Sequence, residues 1–348
     1  MEIRENIPLA PFTTFGIGGP ARWFAEAGCE EEISEACEWA REQGVSFFVL
    51  GGGSNVLVSD RGFPGLVLHI TLKGPDHPVD QDGDLFRVAA GEDWDTFVQR
   101  TTDAGFAGVE CLAGIPGSVG GTPVQNVGAY GQEVSNVIER VRAFDIEAQK
   151  LVELSSAECE FSYRRSRFNS TDRGRFIVTR VDYRLLRGGM PNLTYADLKL
   201  HFQNREDPPS ISEVASAVRS IRQDKGMLLV EGDPDCRSAG SFFKNPSVSQ
   251  DVADRVVALA AQSGVPLRVY PADGGLVKIP AAWLIERAGF AKGFKLGAAG
   301  ISSRHTLALI NRGGATAGEI LSLARTIADA VEARFGVRLE MEPEKVGF

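Results

Sequence analysis

Five short segments of the 348-residue chain concentrate residue types able to do chemistry, and their spacing says which chemistry each can support. The first is residues 51–55, Gly51, Gly52, Gly53, Ser54 and Asn55. Three glycines remove the Cβ atoms that keep a ligand off the main chain, so successive N–H groups can cradle an anion. A plain turn between two strands has the same composition. The run lacks the G-x-G-x-x-G pattern and joins strand to strand, which disfavours a Rossmann fold. The second segment, residues 114–131, holds Gly114, Gly117, Gly120, Gly121, Gly128 and Gly131, with Pro116 and Pro123 as stiffeners. That combination suits main-chain wrapping of a flat, extended ligand, and equally a self-packed surface loop.

In residues 161–168 the rings of Phe161, Tyr163 and Phe168 interleave with Arg164, Arg165 and Arg167. Guanidinium groups there can hold a carboxylate or phosphate in a fork, or line a solvated turn. In residues 238–246 small residues and two phenylalanines surround Ser241, whose hydroxyl can donate a proton or cap a turn. No G-x-S-x-G elbow and no nearby histidine accompany it, which disfavours nucleophilic hydrolase chemistry. Near the end, Glu340 and Glu342 share one strand face opposite Leu339 and Met341, a pattern that solvated edges also show. His305 has no spaced partner and reads as a hydrogen-bonding or packing residue. With four histidines, five cysteines (Cys29, Cys37, Cys111, Cys159, Cys236) and no C-x-x-C pair, neither a metal site nor a disulfide framework is expected.

The elements that must position these groups follow from periodicity. Ile33, Ala36, Cys37 and Ala40 predict a helix stopped by Gly44, and Trp94, Phe97, Val98 and Thr101 predict another ended by Gly105. Residues 47–50, 56–58, 66–70, 85–89, 137–146 and 176–186 predict strands. Pro208-Pro209, followed by the capping pair Ser210 and Glu213, marks a domain boundary. Beyond it, helices at 252–261, 281–288 and 320–335 mix with a strand at 306–310, and residues 337–342 predict an edge strand stopped by Pro343.

Composition narrows the class of partner. With 37 Lys+Arg against 46 Asp+Glu, the net charge is −9 and the cations are scattered, so neither nucleic acid nor a lipid surface is an expected partner. An anionic ligand must therefore meet a local basic site. No run approaches the ~18 apolar residues of a membrane-spanning helix. Glu2, Arg4 and Glu5 are unlike a signal peptide, and a cytoplasmic location is expected.

In chain order, T-T-F-G-I-G-G (13–19), G-G-G-S-N-V-L (51–57), I-P-G-S-V-G-G-T-P-V-Q-N-V-G-A-Y-G (115–131), Y-R-R-S-R-F (163–168), A-G-S-F-F-K-N-P (239–246) and L-E-M-E (339–342) resemble the UDP-N-acetylenolpyruvoylglucosamine reductase family over essentially the whole chain. The resemblance implies an α+β fold: a two-lobed FAD-binding region of the vanillyl-alcohol-oxidase (PCMH) type plus a separate α+β substrate domain. Residues 1–70 would form the first lobe, opened by a strand at 13–19 and joined by a terminal strand within 336–348. Residues 71–208 would form the second lobe and 209–335 the substrate domain. The implied activity is NADPH-dependent reduction of an enolpyruvyl nucleotide sugar to UDP-N-acetylmuramate, with FAD as bound cofactor and NADPH as co-substrate.

Carried over by position, the family's flavin segments fall on Gly51, Gly52, Gly53, Ser54 and Asn55, and on Gly114, Ile115, Pro116, Gly117, Ser118, Gly121, Thr122, Gln125, Asn126, Gly128, Ala129, Tyr130 and Gly131. The resemblance implies that Arg164 holds the substrate carboxylate, Ser241 supplies a proton and Glu342 assists. Glu342 rather than Glu340 follows from aligning the chain end through Gly347. Tyr163, Tyr195, Arg222, Lys225, Asn245 and His305 would contact the nucleotide sugar, with Tyr195 in T-Y-A-D-L as a mobile lid. Two departures are visible: Asn169 stands where many members have lysine, and residues 226–237 are longer than in compact members. The competing expectations are an FAD-dependent alcohol or sugar oxidase of the same fold, and a non-catalytic nucleotide-sugar or flavin binder.

Overall fold

The computed structural model describes residues 1–74, 83–262 and 264–348. By main-chain contacts the chain forms two units, one of Met1–Ile7, Pro20–Gly53 and Phe63–Asp224, the other of Pro8–Gly19, Ser54–Gly62 and Lys225–Phe348.

In the first unit, strands Pro20–Ala27, Phe63–Ile70 and Phe47–Leu50 pair in parallel, with Arg4–Pro8 beside Pro20–Ala27. Helix Glu30–Gln43 buries Ile33, Ala36, Cys37 and Ala40, the face its sequence spacing predicts. It ends at Gly44, whose φ of 62° is the left-handed conformation of a helix C-cap. A second sheet, antiparallel throughout, runs Lys150–Ser155, Ile138–Asp145, Phe176–Arg184, Leu85–Ala89. The start of the helix is fixed to this sheet: Arg142 donates a fork to Glu30 at 2.8 and 2.9 Å, and Thr179 Oγ1 adds a bond at 2.7 Å. Helix Trp94–Asp103 starts where the Asp93 carboxyl accepts the Thr96 N–H at 2.8 Å.

The second unit is built on helix Ala317–Phe335, whose buried Ile320, Leu323, Ile327 and Val331 pack with Phe15, Ile17, Leu57, Phe242, Phe243 and Leu284. Thr316 and Glu319 form a capping box, and the Asp60 carboxyl accepts the N–H groups of Ala317 and Gly318 at 2.8 and 3.1 Å. The last strand, Glu344–Val346, pairs in parallel with Val56–Val58.

Four sequence expectations differ from this picture. Residues 13–19 are turn and coil instead of an opening strand, because Phe15 and Ile17 are drawn into the second unit's core. The terminal strand lies beyond Pro343, not before it; of residues 337–342 only Met341 makes a bridge, to Phe243. The strand expected at 306–310 is Leu309–Asn311. Contacts divide the chain after Asp224 instead of at Pro208, because helix Ile211–Asp224 packs on Trp94–Asp103 and Glu110–Leu112. All five cysteines are free thiols, and only Cys29 is exposed. Burial pushes the Cys37 and Cys159 thiols up to about 12. Among the described residues no helix is long and apolar enough to cross a membrane, and no His, Cys, Asp and Glu cluster could hold a metal ion.

Candidate active site

In the first unit the two glycine segments lie against each other. A Cβ built on Gly52 would fall 2.6 Å from the Cα of Gly117, and one on Gly51 would fall 2.7 Å from Ser118 Oγ. At Gly52 the obstacle is main chain, so glycine is required there, whereas at Gly51 the Ser118 hydroxyl could turn aside. Gly117 itself has φ +134°. Residues 115–118 remain half-buried, with main chain available beside Gly52. Two glycine segments packed main chain to main chain, with residues 115–118 still half-buried, fit a flat dinucleotide such as FAD.

The rest of the loop is held in place by side chains from both flanks. Gly114 donates its N–H to Asp95 Oδ1 at 2.6 Å and accepts Arg222 Nε at 3.0 Å. Asp95 is in turn paired to Arg219 at 2.7 Å. Arg222 is only 7% exposed, and burial depresses its pKa against an opposing bond to Tyr130. Arg222, which the sequence resemblance assigns to the nucleotide sugar, also anchors the 114–131 loop through this Nε bond. Thr122 is likewise buried, its hydroxyl bonded to Val119 O at 2.8 Å and to the Tyr183 hydroxyl at 2.6 Å. Neither Asp95 nor Arg219 lies in a recognisable motif, and only the fold reveals their part.

The arginine-rich segment joins this loop. Asn126 Nδ2 donates to Ser162 O at 3.0 Å, Arg164 Nη2 to Gly128 O at 2.6 Å, and Ser166 Oγ to Val124 O at 2.6 Å. Asn126, Tyr130 and Arg164 all have positive φ, at 43°, 48° and 56°. Strained non-glycine backbone concentrated in one place is a mark of functional sites. Asn169 closes a capping box with Ser166 and donates to Arg164 O at 3.3 Å, so the residue that departs from the family pattern shapes the turn beneath Arg164. The Arg164 guanidinium stands 5.3 Å from the Tyr163 ring centre. Tyr195 is exposed, its ring meeting Tyr130 edge to face at 5.2 Å and 81°.

The second unit assembles the remaining candidates. The Glu342 N–H donates to Phe242 O at 2.8 Å and the Lys244 N–H to Glu340 O at 3.0 Å, around the bridge of Phe243 with Met341. Ser241 and Glu342 are thereby brought to one short ladder. Asn55 joins them, its Nδ2 donating to Glu342 O at 3.4 Å and its carbonyl accepting the Glu344 N–H at 2.9 Å. Ser241 is half-buried, and its hydroxyl has no partner among the described residues. The Phe242 N–H donates to Leu307 O at 2.8 Å, two residues from His305.

Asn245 Oδ1 accepts the N–H of Ala281, the first residue of helix Ala281–Arg287, at 2.9 Å, so one of its side-chain oxygen's acceptor sites serves the protein itself. Lys225 opens the long stretch to Arg237, which is pinned by acidic residues. Arg304 pairs with Asp233 and with Asp235, and Ser303 Oγ donates to Asp235 at 2.7 Å. Burial raises the Asp235 pKa, but the bonds from Ser303 and Arg304 outweigh it and hold the carboxyl below its ordinary range. Gly226 turns this corner at φ +64°, where a Cβ would press on Arg304 and Asp235 at 3.1 Å.

Comparison with known proteins adds independent findings. Residues 21–155 match the model described as FAD binding domain, and residues 233–346 match that of the UDP-N-acetylenolpyruvoylglucosamine reductase C-terminal domain. The chain is 44% identical to UDP-N-acetylenolpyruvoylglucosamine reductase of Thermobifida fusca, over 99% of this chain and 98% of that protein. It is also 44% identical to the reductase of the same name from Streptomyces coelicolor, over 99% and 90%. The crystal structure of UDP-N-acetylenolpyruvylglucosamine reductase from Thermus caldophilus superimposes with a TM-score of 0.68 at 28% identity, covering 99% of this chain and all of that one.

Proposed function

The chain belongs to the UDP-N-acetylenolpyruvoylglucosamine reductase family, and from that premise we propose how its residues carry the reaction. It reduces the enolpyruvyl group of UDP-N-acetyl-3-O-(1-carboxyvinyl)-glucosamine to the lactyl group of UDP-N-acetylmuramate, with NADPH as donor. The chemistry supplied by a bound FAD is hydride storage, uptake from NADPH followed by delivery to the vinyl terminus. The 51–55 and 114–131 segments would hold it by their main chain, with Asp95 and Arg222 fixing the latter.

Hydride addition leaves negative charge on the carbon next to the carboxylate, and that charge requires donors already in place. Arg164 receives the carboxylate, its orientation set by Gly128 O and the Asn169 turn. Ser241 gives its proton to the same carbon, and Glu342, one hydrogen-bonded residue away, assists. The observation that supports this reading is the short main-chain ladder that joins Phe242, next to Ser241, to Glu342. Tyr163, Tyr195, Lys225, Asn245 and His305 are assigned to the nucleotide sugar, with Tyr195 closing over it. We assign the cofactor chiefly to the first unit and the substrate domain to residues 225–348, moving the sequence boundary from 208 to 224. A cytoplasmic location, without membrane or nucleic-acid partners, accords with the net charge of −9 and the scattered cations.

The test is visible absorbance under anaerobic conditions, before NADPH, after it, and after the enolpyruvyl nucleotide sugar. A flavin band that bleaches and then returns with the nucleotide sugar supports the reading. Return only with oxygen would mean an oxidase, and absence of any flavin, even on reconstitution, would sink the loop assignments.

A further inference from the structure

Glu110 is 1% exposed, and among the described residues no cation meets its carboxyl. Burying such a group is costly unless it is hydrogen-bonded, and three N–H groups supply the bonds. The Gly108 main chain donates to Oε2 at 2.7 Å, and Gln132 Nε2 and the Asn192 main chain donate to Oε1 at 2.7 and 2.8 Å. Gln132 belongs to the hairpin of Gly128–Ala129 with Gln132–Glu133, directly after the loop assigned to the cofactor. Asn192 opens the stretch that carries Thr194 and Tyr195.

A second layer of bonds extends each arm. Gln132 Oε1 accepts the Cys111 N–H at 2.8 Å, which fixes the amide's orientation toward Glu110. Asn192 Nδ2 donates back to Gly131 O at 3.0 Å, and its Oδ1 accepts the N–H and hydroxyl of Thr194 at 2.9 and 2.7 Å. One buried carboxyl thus ties the segment behind Tyr130 to the segment ahead of Tyr195, the two rings found edge to face.

We infer that Glu110 is a positioning residue of the reaction: it fixes the Tyr195 stretch against the 128–131 loop and so sets how tightly the nucleotide sugar is held, without touching it. This rests on the reading of Tyr195 as the residue that closes over the nucleotide. The work is done by a rigid set of three bonds whose donors come from three separate stretches of chain.

The test is a double-mutant cycle on the FAD-loaded enzyme with Glu110→Gln and Tyr195→Ala. A glutamine keeps the shape but turns an N–H toward one of the donors. Glu110→Gln should raise KM for the enolpyruvyl nucleotide sugar roughly tenfold, the weight of about one hydrogen bond. It should leave kcat and the anaerobic rate of flavin reduction by NADPH nearly unchanged. In the Tyr195→Ala background the same substitution should add nothing to KM. Additive effects, or equal loss of the NADPH half-reaction, would overturn the inference and leave Glu110 as a folding residue. If Tyr195→Ala alone leaves KM unchanged, the Tyr195 reading fails and the inference falls with it. Should Glu110→Gln emerge without FAD, Asn192→Ala takes its place in the cycle, because it cuts the bond to Gly131 and keeps the carboxyl; additivity there overturns the inference equally.

Discussion

The N–H of Glu342 donates to the carbonyl of Phe242 at 2.8 Å, so the residue next to Ser241 is joined to the last segment of the chain through a main-chain bond. Side-chain substitutions at 241 and 342 therefore leave the ladder in place, and their effects report on chemistry.

Ser241→Ala should leave flavin reduction by NADPH within about twofold of wild type and slow reoxidation by the enolpyruvyl substrate by about 10²–10⁴, the usual worth of a positioned proton donor. Anaerobic stopped-flow absorbance separates the two. Equal loss in both half-reactions would mean that Ser241 supports folding or flavin binding.

Arg164→Lys keeps a charge but loses the planar fork that a carboxylate needs, together with the Nη2 bond to Gly128 O. A charge-assisted hydrogen bond is worth about 1.5–3 kcal/mol, so kcat/KM for the enolpyruvyl substrate should fall about tenfold to a hundredfold. FAD content should not change; flavin lost on purification would make Arg164 an anchor of the loop and nothing more.

Gly52→Ala places a Cβ 2.6 Å from the Gly117 Cα, where only main chain can yield. The purified variant should carry far less flavin than wild type while keeping its circular dichroism. Gly28→Ala, whose Cβ meets nothing nearer than 3.6 Å, serves as the control and should stay yellow.

Acid should loosen the first unit through Glu30. The Arg142 fork holds its carboxyl below the ordinary 4.5, against a smaller opposing effect of burial. A depressed carboxyl stabilises the fold fully above 4.5 and loses that contribution as pH falls through its folded value. Glu30→Gln should therefore cost about 1 kcal/mol near neutral pH, and the gap to wild type should close progressively below pH 4.5 in urea unfolding. A gap that stays constant through that range would remove Glu30 from the acid response.

Local pattern made much of this legible. The helix with Ile33, Ala36, Cys37 and Ala40 and the Ser210 and Glu213 cap are short-range signals, and the structure repeats them. Glycine-dense segments announced close approach, and the contact of Gly52 with Gly117 is the physical content of that signal. What stayed hidden is long-range. Nothing around Phe15 or Ile17 says that they serve a core built mostly from residues beyond 225, and the reading of 13–19 as a strand fails for that reason. Asp95, Glu110 and Arg222 look like ordinary charges until the turns they hold are seen. Pro343 misled because a proline can precede a strand as readily as stop one.

The second unit also takes Pro8–Gly19 and Ser54–Gly62 from the early part of the chain, and this has a consequence for synthesis. A ribosome delivers every residue of the first unit by Asp224, so that unit can fold while the remainder is still being made. Val56–Val58, however, must wait for the distant Glu344–Val346 before it gains a partner. Until the residues beyond Lys225 that complete that core are made, two early segments carrying Phe15, Ile17 and Leu57 are apolar surface without a core, and the nascent chain is exposed to aggregation for that interval.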